Sequence, residues 1–246
     1  MAKETPGDGA AGRLSFAQRE CAVLLLQLLA TVAVIGWMPG NFAKLAALLI
    51  VWAIGFHRLS SADLALMAAV DAIFIAADRG ALRHHVFWFR HPDLMGLPVY
   101  EYLMWGFYAL HTIRLVGGRC PRFRLFPTLP LTALFAAAFA LIGDANLLLL
   151  ASAAVLAAAL LLHHEREDLI YAGYMIAVGA LIEYVGTGTG QWSYPGAPYG
   201  GVPAWFVTMW GGVGLFTRRL LLPLHTALRL RVSRRRENRA RALMSE

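Results

Sequence analysis

The chain has 246 residues, 59% of them hydrophobic, with a mean hydropathy of +0.57 and a formal net charge of +7. So apolar a composition excludes an ordinary soluble domain and points to a polytopic membrane protein. The positive charge is not a nucleic-acid signal, because its distribution follows membrane topology.

Residues 1–20 form a polar N-terminal segment. Apolar segments follow at roughly 21–38, 41–57, 61–78, 99–116, 126–143, 146–163, 168–186 and 203–224. The first lacks a small-residue cleavage motif and reads as a retained helix. The prediction is an all-α bundle of about eight transmembrane helices, with seven as the alternative, ending in a basic tail at 225–246. If the helices alternate, 18 of the 22 Lys and Arg residues fall on one side. The positive-inside rule makes that side cytoplasmic and places both termini there, in the inner (cytoplasmic) membrane. The run Arg234-Arg235-Arg236 then anchors the topology and meets acidic lipid headgroups. Cys21 and Cys120 both lie near the cytoplasmic face by this count, which implies no disulfide framework.

The chain also repeats at an offset of 105 residues. From 96 to 115, nine of twenty positions match their partners, including Pro98/Pro203, Met104/Met209, Trp105/Trp210, Gly106/Gly211 and Arg114/Arg219. The offset carries the first four apolar segments onto the last four, giving membrane repeats at 21–118 and 119–224. An even number of helices per repeat keeps the two copies parallel, and duplicated membrane proteins build their sites where the copies meet.

Two long non-cytoplasmic loops, about 79–98 and 187–202, occupy equivalent places. Asp78 precedes one and Glu183 the other, and the two acids are partners at the offset. Each is followed by an aromatic pair at the same spacing, Phe87 and Phe89 against Trp192 and Tyr194, then by Gly-x-Pro and an aromatic, Tyr100 or Trp205. Asp71 lies two helical turns before Asp78 and inside a hydrophobic segment, where an ionisable residue is a site candidate by default. Glu101 opens the fourth segment, and Phe206 replaces it in the second copy. An acid kept in one copy only suggests an asymmetric task.

Other polar features read more plainly. His84, His85, His91 and Asp93 match no established metal spacing and read as a solvated loop. The stretch from His163 to Asp168 reads as a cytoplasmic turn of mixed charge, and His111 as a buried polar contact. The run Gly186-Thr187-Gly188-Thr189-Gly190 lacks the Lys of a phosphate loop and allows close backbone packing or a bend. The paired Trp105 and Trp210 read as packing residues.

The motif from Glu183 through Gly190-Gln191-Trp192-Ser193-Tyr194 to Gly201-Val202-Pro203 resembles the small integral-membrane carotenoid enzymes. In lycopene β-cyclase domains an acid precedes Gly-x-Trp-x-Tyr, followed by Leu-Pro and a Glu-Glu pair. Leu97-Pro98-Val99-Tyr100-Glu101 is similar to that second element, with Tyr100 in place of the first Glu. The Glu-x-x-Gly, Thr-Gly and Tyr run is similar to that of the membrane carotenoid hydratases, and the chain resembles meroterpenoid cyclases in size and in its few membrane acids. The resemblance implies protonation of an alkene or epoxide of an isoprenoid-like substrate, then cyclisation or hydration, with no metal or other cofactor. It implies catalytic acids among Glu183, Glu101, Asp78 and Asp71, with Glu183 or Glu101 as the proton donor, Asp78 as its partner and Asp71 holding a proton deeper in the cavity. It implies substrate contacts from Trp88, Tyr100, Trp192, Tyr194 and Trp205. The competing expectations are a transporter or lipid-binding membrane protein, and a structural subunit of a membrane complex.

Overall fold

The computed structural model describes the backbone of residues 16–244 and the side chains of 17–234. The predicted polar segment 1–20 therefore lies mostly outside the described residues, as do the side chains of the tail beyond Arg234. Among the described residues the regular structure is helical apart from one short strand pair. The helices are α1 (Phe16–Trp37), α2 (Asn41–Phe56), α3 (Ser61–Arg83), α4 (Met104–Val116), α5 (Leu125–Leu141), α6 (Ala145–His163), α7 (Arg166–Gly188), α8 (Phe206–Phe216) and α9 (Leu222–Met244). A 3₁₀ turn (Val99–Leu103) leads into α4, and a π turn (Thr217–Leu221) joins α8 to α9 without a break.

Among the described residues three helices are long and apolar enough to cross a membrane: Ala17–Trp37, Ala145–His163 and Arg166–Gly188. The helices α2 and α5 are apolar but shorter. Large apolar side chains such as Leu26, Ile54, Phe126, Leu150 and Leu161 face outward along α1, α2, α5 and α6. An exposed apolar surface of that extent suits contact with lipid.

Capping chemistry sets where α3 and α7 begin. Ser60 and Asp63 form a reciprocal capping box, and so do Glu165 and Asp168. Both helices run for 23 residues from starts 105 apart. They extend further than hydropathy predicts, because Arg79 and Arg83 continue α3 beyond the apolar run. Asp78 is thus inside its helix and does not close it. The predicted helix over 99–116 splits instead, since Pro98 precedes a 3₁₀ turn and α4 starts at Met104. The basic tail is helical, continuing the last apolar segment to Met244.

The two long loops meet in a two-residue antiparallel pair, β1 (Trp88–Phe89) with β2 (Trp192–Ser193), in the register Trp88 to Ser193 and Phe89 to Trp192. The main core lies beneath this pair and is built from α1, α2, α3, α4, α7 and α8 around Phe107, Tyr108, Met175 and Trp210.

Candidate functional site

Asp78 and Glu183 occupy the same position in α3 and α7, the eighteenth residue of each helix. Each accepts a hydrogen bond from the indole of a tryptophan 27 residues later: Trp105 Nε1 to Asp78 Oδ2 at 3.0 Å, and Trp210 Nε1 to Glu183 Oε1 at 3.2 Å. Beyond that bond the two acids differ. Trp192 Nε1 and the Tyr194 hydroxyl also donate to Glu183 Oε2, at 2.9 and 2.6 Å. The residues equivalent to Trp192 and Tyr194 are Phe87 and Phe89, whose rings have no donor. Glu183 is therefore cradled by three donors. Asp78 receives one, at Oδ2, and among the described residues its Oδ1 has no donor.

Glycines on α7 make the cradle possible. A Cβ on Gly186 would lie 2.0 Å from the Trp192 ring, and one on Gly179 would lie 2.1 Å from Trp210. Of the two roles read for the glycine run, Gly186 takes close packing.

Asp78, Glu101 and Glu183 line one cavity of about 50 Å³. Its remaining wall is mostly aromatic, including Phe87, Trp105, Tyr108, Trp192, Tyr194 and Trp205, and among the described residues it holds no lysine or arginine. Tyr108 meets Trp105 and Trp210 edge to face, with centroids 5.8 and 5.2 Å away. Among the described residues no donor binds the Glu101 carboxyl, which faces the cavity from the 3₁₀ turn.

The other expected site residues sit elsewhere. Asp71 is buried, but its Oδ1 accepts the backbone N–H of Gly106 at 2.6 Å and it is not in the cavity wall. It caps the first turn of α4, where a carboxylate is favoured by the exposed N–H groups. Its equivalent in the second copy is Ile176, packed against Gly211. Trp88 is 48% exposed, because neighbouring strand residues point to opposite faces and Phe89 takes the inner one. Tyr100 is buried behind the cavity, with Lys44 Nζ 5.2 Å above its ring. Lys44 also bonds the Gln191 side chain, which ties α2 to the second loop. In the first loop, Asp93 accepts from Asn41 Nδ2 at 2.8 Å and from the Val99 N–H at 3.0 Å, anchoring the 3₁₀ turn that carries Glu101. Among the described residues no group of His, Cys, Asp and Glu is arranged to hold a metal.

Reading the sequence for site acids leaves out two kinds of partner. The first is the indole pair, since Trp105 and Trp210 bond acids as well as pack. The second lies at the opposite end of the bundle. Asp63 is fully buried and accepts from Arg114 at 3.1 Å, Arg229 at 3.1 Å and His225 Nε2 at 2.8 Å. Asp168 accepts from Arg218 at 2.5 Å and Arg219 Nε at 2.7 Å. Within the mixed-charge turn at 163–168, residues 164–166 are exposed, whereas His163 and Asp168 are buried and Asp168 is enclosed by arginines of the π turn. The common offset of Asp63/Asp168 and Arg114/Arg219 was the available signal. Nearer the middle, His111 is buried between Gln27 Oε1 (3.3 Å) and the Tyr174 hydroxyl (2.6 Å), the polar contact expected of it.

No protein-family model, curated protein or solved structure matches the chain.

Proposed function

We propose that this chain is an integral-membrane enzyme that protonates an alkene or epoxide of an isoprenoid or carotenoid-like lipid, giving cyclisation or hydration. The observation that carries this reading is the aromatic cavity holding Asp78, Glu101 and Glu183 with no basic side chain among the described residues of its wall. Carbocation chemistry needs a carboxyl proton, an apolar enclosure and aromatic faces whose quadrupole attracts positive charge.

The roles follow from the hydrogen bonds. Glu101 is the proton donor, since no donor occupies its oxygens and its hydrogen is free to point at substrate. Glu183, accepting from three donors, suits a carboxylate fixed beside the developing cation. Asp78, with one open oxygen, takes the final proton. The Glu101 proton adds to an alkene carbon, the π pair becomes the new C–H bond, and a tertiary cation remains. A second alkene closes the ring and moves the cation. Loss of a neighbouring proton to Asp78 restores an alkene, and return of that proton to Glu101 completes the cycle with no change in mass. Capture by water, with proton loss from the added oxygen, gives the hydrated product instead.

The membrane layout proposed is eight helices in two parallel repeats, 21–118 and 119–224, with both termini cytoplasmic. Several pairings support it. Trp88 lies opposite Ser193, its own equivalent at the offset, as residues on a two-fold axis do. The acid–indole pairs and the buried Asp–Arg pairs recur at the same offset.

The test is product analysis by mass spectrometry in a host that accumulates acyclic isoprenoid polyenes. A product of unchanged mass but new retention means cyclisation, and a gain of one water means hydration. Either should vanish in Glu101→Gln. An isoprenoid pool identical with and without the protein would overturn the reading.

A further inference from the structure

A second, apolar chamber of about 110 Å³ adjoins the acid cavity and shares Asp78, Trp105, Trp205 and Met209 with it. It follows α8 into the π turn, where Thr217, Leu220 and Leu221 end it. From Met209 to Leu221 the helical rise is about 18 Å. Its outer end is closed where α3 and α5 touch, since a Cβ on Gly80 would lie 2.4 Å from the Ala140 carbonyl. Further in, Ile73 belongs to the wall and is 54% exposed, so the chamber opens sideways between α3 and α5.

Thr217 is 1% exposed, and its Oγ1 has no hydrogen-bond partner among the described residues. Helical threonines usually bond the carbonyl one turn back, and Thr132, Thr187, Thr189 and Thr226 do so here. A buried hydroxyl left unpaired is costly, and each such group calls for an explanation. The equivalent threonine supplies the contrast. Thr112 donates to Met175 Sδ at 2.8 Å. The position equivalent to Met175 is Val70, which lines the chamber. In one copy a methionine fills the space and satisfies the hydroxyl. In the other, a shorter side chain without an acceptor takes that position, and the hydroxyl at the chamber's end has no partner among the described residues.

We infer that the chamber holds the chain of an elongated isoprenoid lipid whose far end carries an oxygen function, a hydroxyl, carbonyl or ether, bonded to Thr217. The substrate is then an oxygenated isoprenoid, with its reacting alkene among the three acids and its oxygen at the π turn. This rests on the proposed function for the identity of the reacting end.

The experiment measures binding, separately from turnover. The purified full chain in detergent is titrated with geranylgeraniol and with the corresponding deoxy hydrocarbon, following quenching of tryptophan fluorescence. Wild type should bind the alcohol about tenfold more tightly, the scale of one buried hydrogen bond. Thr217→Val should erase that preference while keeping the hydrocarbon affinity, and Thr217→Ser should retain it. Val70→Met should reproduce the filled copy, losing both ligands while raising the melting temperature. Equal affinities in wild type, a preference that survives Thr217→Val, or full binding by Val70→Met would each overturn the inference. Binding as expected with no isoprenoid product in the host would leave this seat standing and remove the acid chemistry. Product formation without the alcohol preference would do the reverse.

Discussion

Trp105 and Trp210 stack on each other in the core, with ring centroids 5.2 Å apart and planes inclined by 30°. Each indole N–H is bonded to the acid 27 residues before it. The stack couples two acids that the same local pattern places on α3 and α7. The symmetry then breaks at the next contacts: Phe74 stacks on Trp105 at 4.0 Å, whereas Gly179 makes room for Trp210.

Trp105→Phe and Trp210→Phe keep an aromatic ring and remove the donor. Asp78 then loses the one side-chain donor it has among the described residues, while Glu183 keeps two. Product formation should fall further in Trp105→Phe. The alanine variants should instead lower the yield of folded protein in detergent, by the loss of a large core side chain worth about 3–5 kcal/mol. Normal yield from Trp210→Ala would remove its packing role.

Glu101→Gln and Glu183→Gln should separate chemistry from structure. The first removes the proton at a group without donors and should abolish turnover with little change in melting temperature. The second turns an amide N–H toward N–H or O–H donors, leaving a buried donor unpaired at a cost of about 1–3 kcal/mol. It should therefore lose stability as well as activity. Equal melting temperatures for the two variants would remove the cradle's structural role.

Gly186→Ala should disrupt the site and Gly188→Ala should not. The methyl at Gly186 meets the Trp192 ring, whereas at Gly188 it meets nothing within 4 Å. Overpacking costs about 1–3 kcal/mol, while alanine at Gly188 gains up to about 1 kcal/mol of helix propensity. Thermal unfolding of the two variants in one detergent gives the comparison.

Asp168→Ala should be strongly destabilising, by about 3–5 kcal/mol, because it strands two buried guanidinium groups. A melting temperature within a degree or two of wild type would mean that water or Glu165 replaces it.

Glu165, outside the helix it caps, is held below its ordinary value of 4.5 by hydrogen bonds from Arg218 and then Arg219. A lowered acid contributes stability that is present above the unfolded value and lost as pH falls through the folded one. The melting temperature should therefore drop below about pH 4.5, the ordinary value, and Glu165→Gln should lessen that drop. An identical pH dependence in both proteins would show that the pair contributes nothing to it.

The sequence by itself determined the helical, strongly apolar character and pointed to the acids at 78, 101 and 183 and the aromatics at 192, 194 and 205, because hydropathy and a constant offset are properties of the chain read linearly. It also carried the equivalence of Asp63 with Asp168 and of Trp105 with Trp210, but spacing along a chain does not reveal a hydrogen bond. Only the tertiary structure decided which side chains converge. It turned Asp71 to the Gly106 N–H, Trp88 outward and Tyr100 behind the wall, and left the Thr217 hydroxyl without a partner among the described residues. The physical reason is that positions equivalent at the 105-residue offset meet different neighbours. Whether a polar group is satisfied, buried or open then depends on one side chain across the interface, a phenylalanine for a tryptophan or a valine for a methionine, and that is settled only when the helices pack.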